Sequence, residues 1–337
     1  MPSMSTAALS SLSERVAPIA AGAHVVAAAW LRRTPVLALG DGGALIAGIG
    51  EEQRVELHPD GGILSAASDG ARLVTGGDDG RVMRLEASGK AEEIGTAPGR
   101  WIDAVALSEA GAVAWSAGKS VFARDDKGAV KTWTAPSSAR GLAFAPKGYR
   151  LAASHYNGVS LWFPNATAAP DFFEWKGSHI DVTISPDGRF LVTSMQENML
   201  HGWRIADRQH MRMSGYPSKT RSLSWSHDGN WLATSGADAA IVWPFQAKDG
   251  PMGKAPRECA IRPARVTCVA FHPKALVLAV GYEDGCIILC RLTDASELLV
   301  RPPQEGSAVT AFAWDASGAQ LLFGAEDGGA GVLTLPA

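Results

Sequence analysis

Short apolar runs alternate with short polar turns along almost the whole chain. Each turn is a tetrapeptide such as Ser-Pro-Asp-Gly or Ser-His-Asp-Gly, and a small residue closes it. These closing residues are Gly70, Gly111, Gly148, Gly188, Gly229, Ala275 and Gly318, at successive steps of 41, 37, 40, 41, 46 and 43 residues. A period of roughly 40 to 45 residues is that of one four-stranded propeller blade. The pattern therefore predicts an all-β repeat protein built as a β-propeller.

The apolar run after each turn predicts a buried strand. Residues 72–77 and 231–236 are examples, both bounded by Gly. Runs of four to seven residues that are followed at once by another apolar run are too short for helices and fit central strands covered on both faces. A second strand precedes each turn, so the turn closes an antiparallel hairpin. We expect the turn glycines to have a positive φ, which a residue with a Cβ resists.

A second turn, usually Asp-Gly, opens a third strand that ends in Trp in three units. These residues are Trp162, Trp203 and Trp243. The order Ser-Pro-Asp-Gly, Leu-x-Ser-Gly, Asp-Gly and Trp resembles the WD-repeat family of β-propellers, in a degenerate bacterial-type form, over essentially the full chain. The Asp that usually follows this Trp is absent, since Phe163, Arg204 and Pro244 occupy that position.

The resemblance implies a structural tetrad of His, Ser or Thr, Asp and Trp in each blade. The unit that matches this set best carries His179, Thr193 and Trp203, with Glu197 where Asp is usual. Other units depart further, and Leu85 replaces the Trp in one of them. We therefore expect only partial tetrads.

Residues 24–47 align with the later units although they lack the turn Gly. With this unit, the sequence predicts eight four-stranded antiparallel blades. The alternative is seven blades, the commonest number in the family. The chain ends on a third strand, residues 331–335, so the last blade lacks its outer strand. The N-terminal stretch 14–20 is expected to supply it and close the ring, which removes exposed sheet edges. The predicted organisation is a flexible N-terminus, 1–13, and a single propeller domain, 14–337.

Composition argues against a disulfide or metal framework. Apolar residues make up 46% of the chain and charged residues 19%. Such a chain can bury a large core without cross-links. Cys286 and Cys290 are four apart on one predicted strand, so their Cα atoms should lie about 13 Å apart, beyond disulfide reach. No Cys-x-x-Cys or His-x-x-x-His spacing occurs, and we expect no metal and no cofactor.

The formal net charge of −3 gives no support for a nucleic-acid surface, which needs a concentrated excess of Lys and Arg. The apolar stretch 17–31 contains Pro18 and His24 and follows the blade pattern, so it is interpreted as strand rather than as a signal or a membrane span. These features predict a cytoplasmic protein that binds neither membrane nor nucleic acid.

The sequence offers little for catalysis. The eight histidines occupy no common blade position, and no nucleophile elbow, phosphate-binding loop or paired His-Glu motif is present. We predict that the protein is not an enzyme. The alternative is a small-ligand or metal-dependent enzyme that uses the central channel, where residues from separate blades converge.

The resemblance implies that partners dock where the innermost strands begin, around the channel mouth. Aligned hairpins place Arg140 and Arg221 at one blade position, with Asp103, Ile180, Thr267 and Thr310 equivalent to them. Cationic and aromatic side chains are enriched at interface hot spots. The predicted partner-binding residues are Arg100, Trp101, Arg140, His155, Tyr156, Lys219, Arg221, Arg265 and Tyr282. The alternative is a solvated rim of side chains paired with acids such as Asp103 and Glu283.

We therefore predict a non-catalytic scaffold that binds a protein or an acidic peptide on the channel-mouth face, as a monomer or as a subunit of a hetero-complex. A further alternative is a structural subunit joined through the blade sides. The Pro-rich segment 244–263 is a second candidate site, either an extended loop or a Pro-rich connection to an ordinary outer strand near residues 258–261.

Overall fold

The computed structural model describes residues 10–48 and 52–336. Regular structure in these residues is strand apart from one 3-10 turn, Ser13–Arg15. The strands are β1 (Ser10–Ser11), β2 (Val16–Ala20), β3 (Val25–Leu31), β4 (Thr34–Leu39), β5 (Gly43–Ala47), β6 (Glu52–Glu56), β7 (Ile63–Ser68), β8 (Arg72–Gly77), β9 (Arg81–Glu86), β10 (Ala91–Thr96), β11 (Ala104–Leu107), β12 (Val113–Ala117), β13 (Ser120–Arg124), β14 (Val130–Thr134), β15 (Gly141–Phe144), β16 (Leu151–Trp162), β17 (Asp171–Ile184), β18 (Phe190–Met195), β19 (Met199–Arg204), β20 (His210–Met213), β21 (Leu223–Trp225), β22 (Trp231–Thr234), β23 (Ala240–Pro244), β24 (Arg257–Cys259), β25 (Val266–Phe271), β26 (Val277–Tyr282), β27 (Ile287–Arg291), β28 (Glu297–Arg301), β29 (Val309–Trp314), β30 (Gln320–Ala325) and β31 (Gly329–Thr334).

The predicted turns close the hairpins between the first two strands of each unit. All six turn glycines have a positive φ, between 67° and 86°. In the turn that ends at Gly188, the Ser185 hydroxyl donates to Asp187 at 2.6 Å, and the Asp187 carboxylate accepts the Arg189 amide at 3.0 Å. Side-chain bonds of this kind make Ser and Asp favourable in a turn that Gly completes. The predicted hairpins are confirmed.

The strands form antiparallel meanders. Strands β3 to β6, β7 to β10, β11 to β14, β21 to β24 and β25 to β28 each give one four-stranded unit, and β29 to β31 are joined by β2. The remaining strands, β15 to β20, form one six-stranded sheet. The all-β propeller with four-stranded antiparallel blades is confirmed.

The number of sheets is seven, as in the alternative count, although the sequence has eight repeat units. Two units share the six-stranded sheet because β16 and β17, of 12 and 14 residues, run through what is elsewhere a turn. Tyr156 pairs with Ser178, and this pairing carries the ladder from the first unit into the second. Asn157, which this ladder skips, has φ 67°, and Gly158, which is opposite Glu174, has φ 145°.

The N-terminal stretch pairs with the last sheet. Strand β2 lies antiparallel to β31, with Val16 opposite Leu333 and Ala20 opposite Gly329. The first and last units also pack together, since Trp30 Nε1 donates to the Ala313 carbonyl at 2.9 Å. Of the predicted flexible N-terminus, residues 1–9 lie outside the described residues, and Ser10–Ser11 pairs parallel with β28.

The predicted tetrad is only partly formed. His179 Nδ1 lies 2.7 Å from Thr193 Oγ1, and its ring centroid lies 5.7 Å from that of Trp203. Glu197 accepts the amide of Ser178 at 3.1 Å, and His179 Nε2 donates instead to the Trp175 carbonyl at 2.9 Å. The Glu197 carboxylate thus accepts a backbone amide instead of contacting the His179 ring.

A more complete network lies in the unit of β7 to β10, which sequence reasoning did not select. His58 Nδ1 lies 2.9 Å from Asp79 Oδ1, and its Nε2 lies 2.8 Å from Thr75 Oγ1. Leu85 occupies the position of the Trp, so this unit lacks the most visible mark of the repeat. The sequence did contain both polar partners of this network: His58 precedes β7, and Asp79 lies in the Asp-Gly turn before β9.

The Pro-rich segment 244–263 contains an ordinary outer strand, β24, close to the predicted one. Its connection packs on the neighbouring unit rather than extending freely. Phe245 is fully buried, and Arg204 donates to the Lys248 carbonyl at 3.1 Å and to the carboxylate of Asp249. This arrangement favours the Pro-rich connection over a mobile binding loop.

Candidate functional site: the channel mouth

One residue of the innermost strand is set into a β-bulge in five units. The register shifts between Val25 and Ala27 and between Ile63 and Ser65, and equivalent shifts occur in β17, β25 and β29. A bulge leaves one residue unpaired and redirects its side chain. The unpaired residues are Val26, Leu64, Ile180, Thr267 and Thr310, and all of them line the central channel.

In the other three units, the equivalent residue is charged and lies one or two positions before the innermost strand. These residues are Asp103, Arg140 and Arg221. Asp103 and Arg140 donate their amides to the carbonyls of Ser116 and Ser154, at 2.8 and 3.1 Å, and Arg221 donates its amide to Ser235 Oγ at 3.2 Å. All three also line the channel. The predicted alignment of blade positions therefore agrees with the structure.

Two cavities occupy this region. The first, which we call the mouth cavity, has a volume of about 950 Å³, and its polar lining includes His24, Asn198, Lys219, Arg221, Arg265, Glu283 and Glu326. The second, the channel cavity, has a volume of about 440 Å³, and its polar lining includes Ser65, Asp103, Arg140, Asp181, Ser194, Thr220 and Arg221. Arg221 borders both cavities, as do Val26 and Leu64, so the two are neighbouring parts of one channel.

Two of the predicted cations are paired with acids. Arg140 lies 3.4 Å from Asp103, and the Arg265 guanidinium approaches Glu283 at 2.7 Å. The hydrogen bonds from Arg265 lower the pKa of Glu283. These two arginines therefore fit the alternative of a solvated rim of side chains paired with acids, and the acids partly neutralise their charge.

Lys219 and Arg221 differ from them. Among the described residues, neither side chain has an acid within ion-pair distance. Lys219 is partly exposed and Arg221 is exposed, and both line the mouth cavity. We call them uncompensated because neither is paired with an acid in the described part of the chain; the exposed Glu326 also lines the mouth cavity.

Three more predicted residues are exposed outside the cavities. Trp101 is 65% exposed and follows the exposed Arg100, and Tyr156 is 55% exposed. The Tyr156 amide donates to Ser137 Oγ at 2.8 Å, which fixes the backbone beside the exposed ring. The structure therefore leaves the side chains of all three accessible.

The prediction was wrong for His155 and Tyr282 as surface residues, because both are buried. His155 Nε2 lies 2.9 Å from Ser160 Oγ, its Nδ1 donates to the Tyr156 carbonyl at 2.9 Å, and burial lowers its pKa. The Tyr282 hydroxyl donates to the Ala260 carbonyl, and the Arg262 guanidinium lies 5.3 Å from its ring centroid. Both side chains are satisfied inside the sheets and contribute no contact surface.

Sequence reasoning missed Asp181, which lines the channel cavity one position after the aligned Ile180. Its carboxylate accepts the amide of Val182 at 2.8 Å. Burial raises the pKa of Asp181 to about 6. Asp181 directly follows the bulge at Ile180, and no feature of the sequence marks a bulge.

Within the described residues, no group of three or more His, Cys, Asp or Glu side chains is arranged to hold a metal ion. The absence of a cofactor and of catalysis stays a prediction. In the same part of the chain, no helix has the length and apolar character needed to cross a membrane. The cellular location also stays a prediction.

Two segments, residues 208–243 and 261–290, match the family model described as WD domain, G-beta repeat. Similar proteins include WD repeat-containing protein 1-B of Xenopus laevis, 32% identical over 77 residues (22% of this chain and 13% of that protein). Another is a subunit of chromatin assembly factor 1 from Gallus gallus, 42% identical over 86 residues (23% of this chain and 15% of that protein). The aligned regions thus span less than a sixth of either relative.

Solved structures resemble the chain over nearly its whole length. The computationally designed Ika8 protein matches with a TM-score of 0.76 at 18% identity, over 93% of this chain and 96% of that one. A chain of the mitotic checkpoint complex matches with a TM-score of 0.67 at 14% identity, over 82% and 89%. At these identities the likeness concerns the fold alone. Two segments of the chain thus match WD repeats, and its strands form a β-propeller, a fold typical of protein-interaction scaffolds.

Proposed function

We propose that this protein is a non-catalytic scaffold that binds an acidic segment of a partner protein at the mouth cavity. The observation that carries the proposal is the pair of uncompensated cations, Lys219 and Arg221, on the wall of a cavity of about 950 Å³. Arg binds carboxylates through paired hydrogen bonds in a fixed geometry, which suits recognition of Asp or Glu side chains.

Rigidity supports the same function. Thr267 and Thr310 lie on the innermost strands of separate sheets, and the Arg221 amide donates to Ser235 Oγ at 3.2 Å, which fixes its backbone before β21. A preformed surface loses little conformational entropy on binding, so more of the contact energy remains as affinity. One of the similar proteins is, by its name, a subunit of an assembly factor, which supports a protein as the partner.

The test compares partner capture from native lysate by the wild type and by a Lys219→Glu/Arg221→Glu variant. The matched control is Lys127→Glu/Lys131→Glu, because both lysines are exposed on or beside the outer strand β14 and, among the described residues, form no ion pair. We expect the first variant to bind about tenfold more weakly or worse, and the control to bind as the wild type does.

Thermal melts of both variants establish that they are folded. Binding should also weaken as salt rises, because exposed charges are screened. Equal capture by the wild type and by Lys219→Glu/Arg221→Glu would overturn the acidic-segment assignment. Loss of capture by the lysine control would place the interface on the outer strands.

A further inference from the structure

The channel cavity contains polar groups that the proposed scaffold function does not use. Asp181 and Ser194 are directly opposite each other on β17 and β18, so both side chains project from the same face of the sheet. Ser194 is fully buried, and its hydroxyl has no hydrogen-bond partner among the described residues. Ser65, which lines the same cavity from another unit, also has an unpartnered hydroxyl.

Asp181 lacks a counter-charge. Among the described residues, no cation lies within ion-pair distance of its carboxylate, and Val182 supplies its hydrogen bond from the backbone. Asp181 is half-buried, and removing part of its carboxylate from water without a counter-charge disfavours the ionised form, which is why burial raises the pKa of this group. At neutral pH most molecules still carry the negative charge, so a ligand cation placed there would relieve this cost.

The same cavity also holds one uncompensated positive charge. Arg140 is paired with Asp103, whereas Arg221 has no acid within ion-pair distance in the described part of the chain. Buried polar groups without partners are rare in folded proteins and call for a ligand, a water or an ion. The hydroxyls of Ser194 and Ser65 are such groups, and beside them the cavity offers the half-buried carboxylate of Asp181 and the exposed guanidinium of Arg221.

We infer that the channel cavity binds a small zwitterion, such as a free α-amino acid, with its ammonium group on Asp181 and its carboxylate on Arg221. The Ser194 and Ser65 hydroxyls would hydrogen-bond the polar atoms that remain. The volume of about 440 Å³ lies within the usual range for small-molecule sites, roughly 300 to 1,000 Å³. The charges of the lining sum to zero, which disfavours a ligand with a large net charge of either sign.

This inference is separate from the proposed scaffold function, although both use Arg221. Asp181 does not line the mouth cavity, and Lys219 does not line the channel cavity. Asp181→Asn should therefore remove zwitterion binding without affecting partner capture. Lys219→Glu should weaken partner capture without affecting zwitterion binding.

The experiment measures the melting temperature of the full chain with each standard α-amino acid, added singly at millimolar concentration. Methylamine and acetate, added alone, present the ammonium and the carboxylate separately. We expect at least one amino acid to raise the melting temperature by about 2 to 4 °C, and neither half-analogue to do so. Titration calorimetry then gives the affinity for the amino acid that binds.

Asp181→Asn keeps the shape and the acceptor for the Val182 amide, and it should weaken binding at least about tenfold. Asp126→Asn is the matched control, because Asp126 is exposed and, among the described residues, has no side-chain partner. A shift that persists in Asp181→Asn, a shift produced equally by acetate, or no shift with any amino acid would each overturn the inference. The melt of unliganded Asp181→Asn shows in advance that the variant folds.

Discussion

His58 and Asp79 form a buried hydrogen bond between the loop before β7 and the turn before β9. His58 Nδ1 lies 2.9 Å from Asp79 Oδ1, and the two side chains are 0% and 6% exposed. A carboxylate only accepts, so Nδ1 donates to Asp79, and in the neutral ring Nε2 accepts from Thr75. This contact fixes the turn against the loop and positions the start of the innermost strand.

We predict that Asp79→Ala lowers the free energy of unfolding by about 1 to 3 kcal/mol, because it leaves the His58 ring buried with an unpaired N–H. Urea denaturation measures the change. Asp60→Ala is the control, since Asp60 is exposed and, in the described residues, makes no side-chain hydrogen bond; it should stay within about 0.5 kcal/mol of the wild type. Equal stability of Asp79→Ala and the wild type would show that the network has no structural role.

In the unit of β21 to β24, Tyr216 occupies the position that His58 has in the unit of β7 to β10. The Trp243 indole donates to its hydroxyl at 2.7 Å, and that hydroxyl donates to Thr234 Oγ1 at 2.7 Å. We predict that Tyr216→Phe costs about 1 to 3 kcal/mol, because the indole N–H loses its acceptor in a buried site. Thermal unfolding measures it.

The matched control for that change is Tyr156→Phe, which makes the same substitution at an exposed position. It should leave the melting temperature unchanged. A drop of the same size in both variants would contradict a role for the Tyr216 network.

His201 should make stability depend on pH. It is fully buried, both ring nitrogens lack partners among the described residues, and its ring stacks on Trp175 with centroids 3.9 Å apart. Burial, aided by the positive charges of His210, His179 and Arg212, lowers the pKa of His201 from 6.5 to about 3. The folded state therefore binds this proton less readily than the unfolded state does.

The contribution of His201 to the free energy of unfolding is therefore fully present above about pH 6.5. As the pH falls from there towards 3, this contribution is lost, and the free energy of unfolding drops by at most about 1.4 kcal/mol per pH unit. We predict that His201→Leu flattens the dependence of unfolding free energy on pH in this window. His227→Leu, at an exposed turn, serves as the control. Identical pH profiles for wild type and His201→Leu would contradict the assignment.

The sequence predicts the hairpins and the channel positions because local chemistry determines both. A Gly at a positive φ marks each turn, and the spacing from that turn aligns Arg140, Arg221 and Thr310. Long-range pairing is not encoded in this way. The continuous ladder through Tyr156 and Ser178, which merges two units in one sheet, joins residues that are 22 apart in sequence.

The site was predicted less completely than the fold. Which face a strand-end side chain occupies depends on the bulges and on buried acceptors, so His155 and Tyr282 were placed on the surface and Asp181 was missed. The sequence also could not show which arginines are paired with acids, because the contact between Arg265 and Glu283 joins residues 18 apart in the chain. The uncompensated pair, Lys219 and Arg221, could be identified only after these contacts were known.

The measurement that tests the scaffold proposal most directly is photocrosslinking from two apolar positions of similar exposure. Leu64, 43% exposed, lies at the channel mouth, and Val130, 46% exposed, lies on the outer strand β14. With a photoreactive amino acid at each position in turn, we predict that the captured partner crosslinks from position 64 and not from position 130. Crosslinking from position 130 alone would contradict docking at the channel mouth.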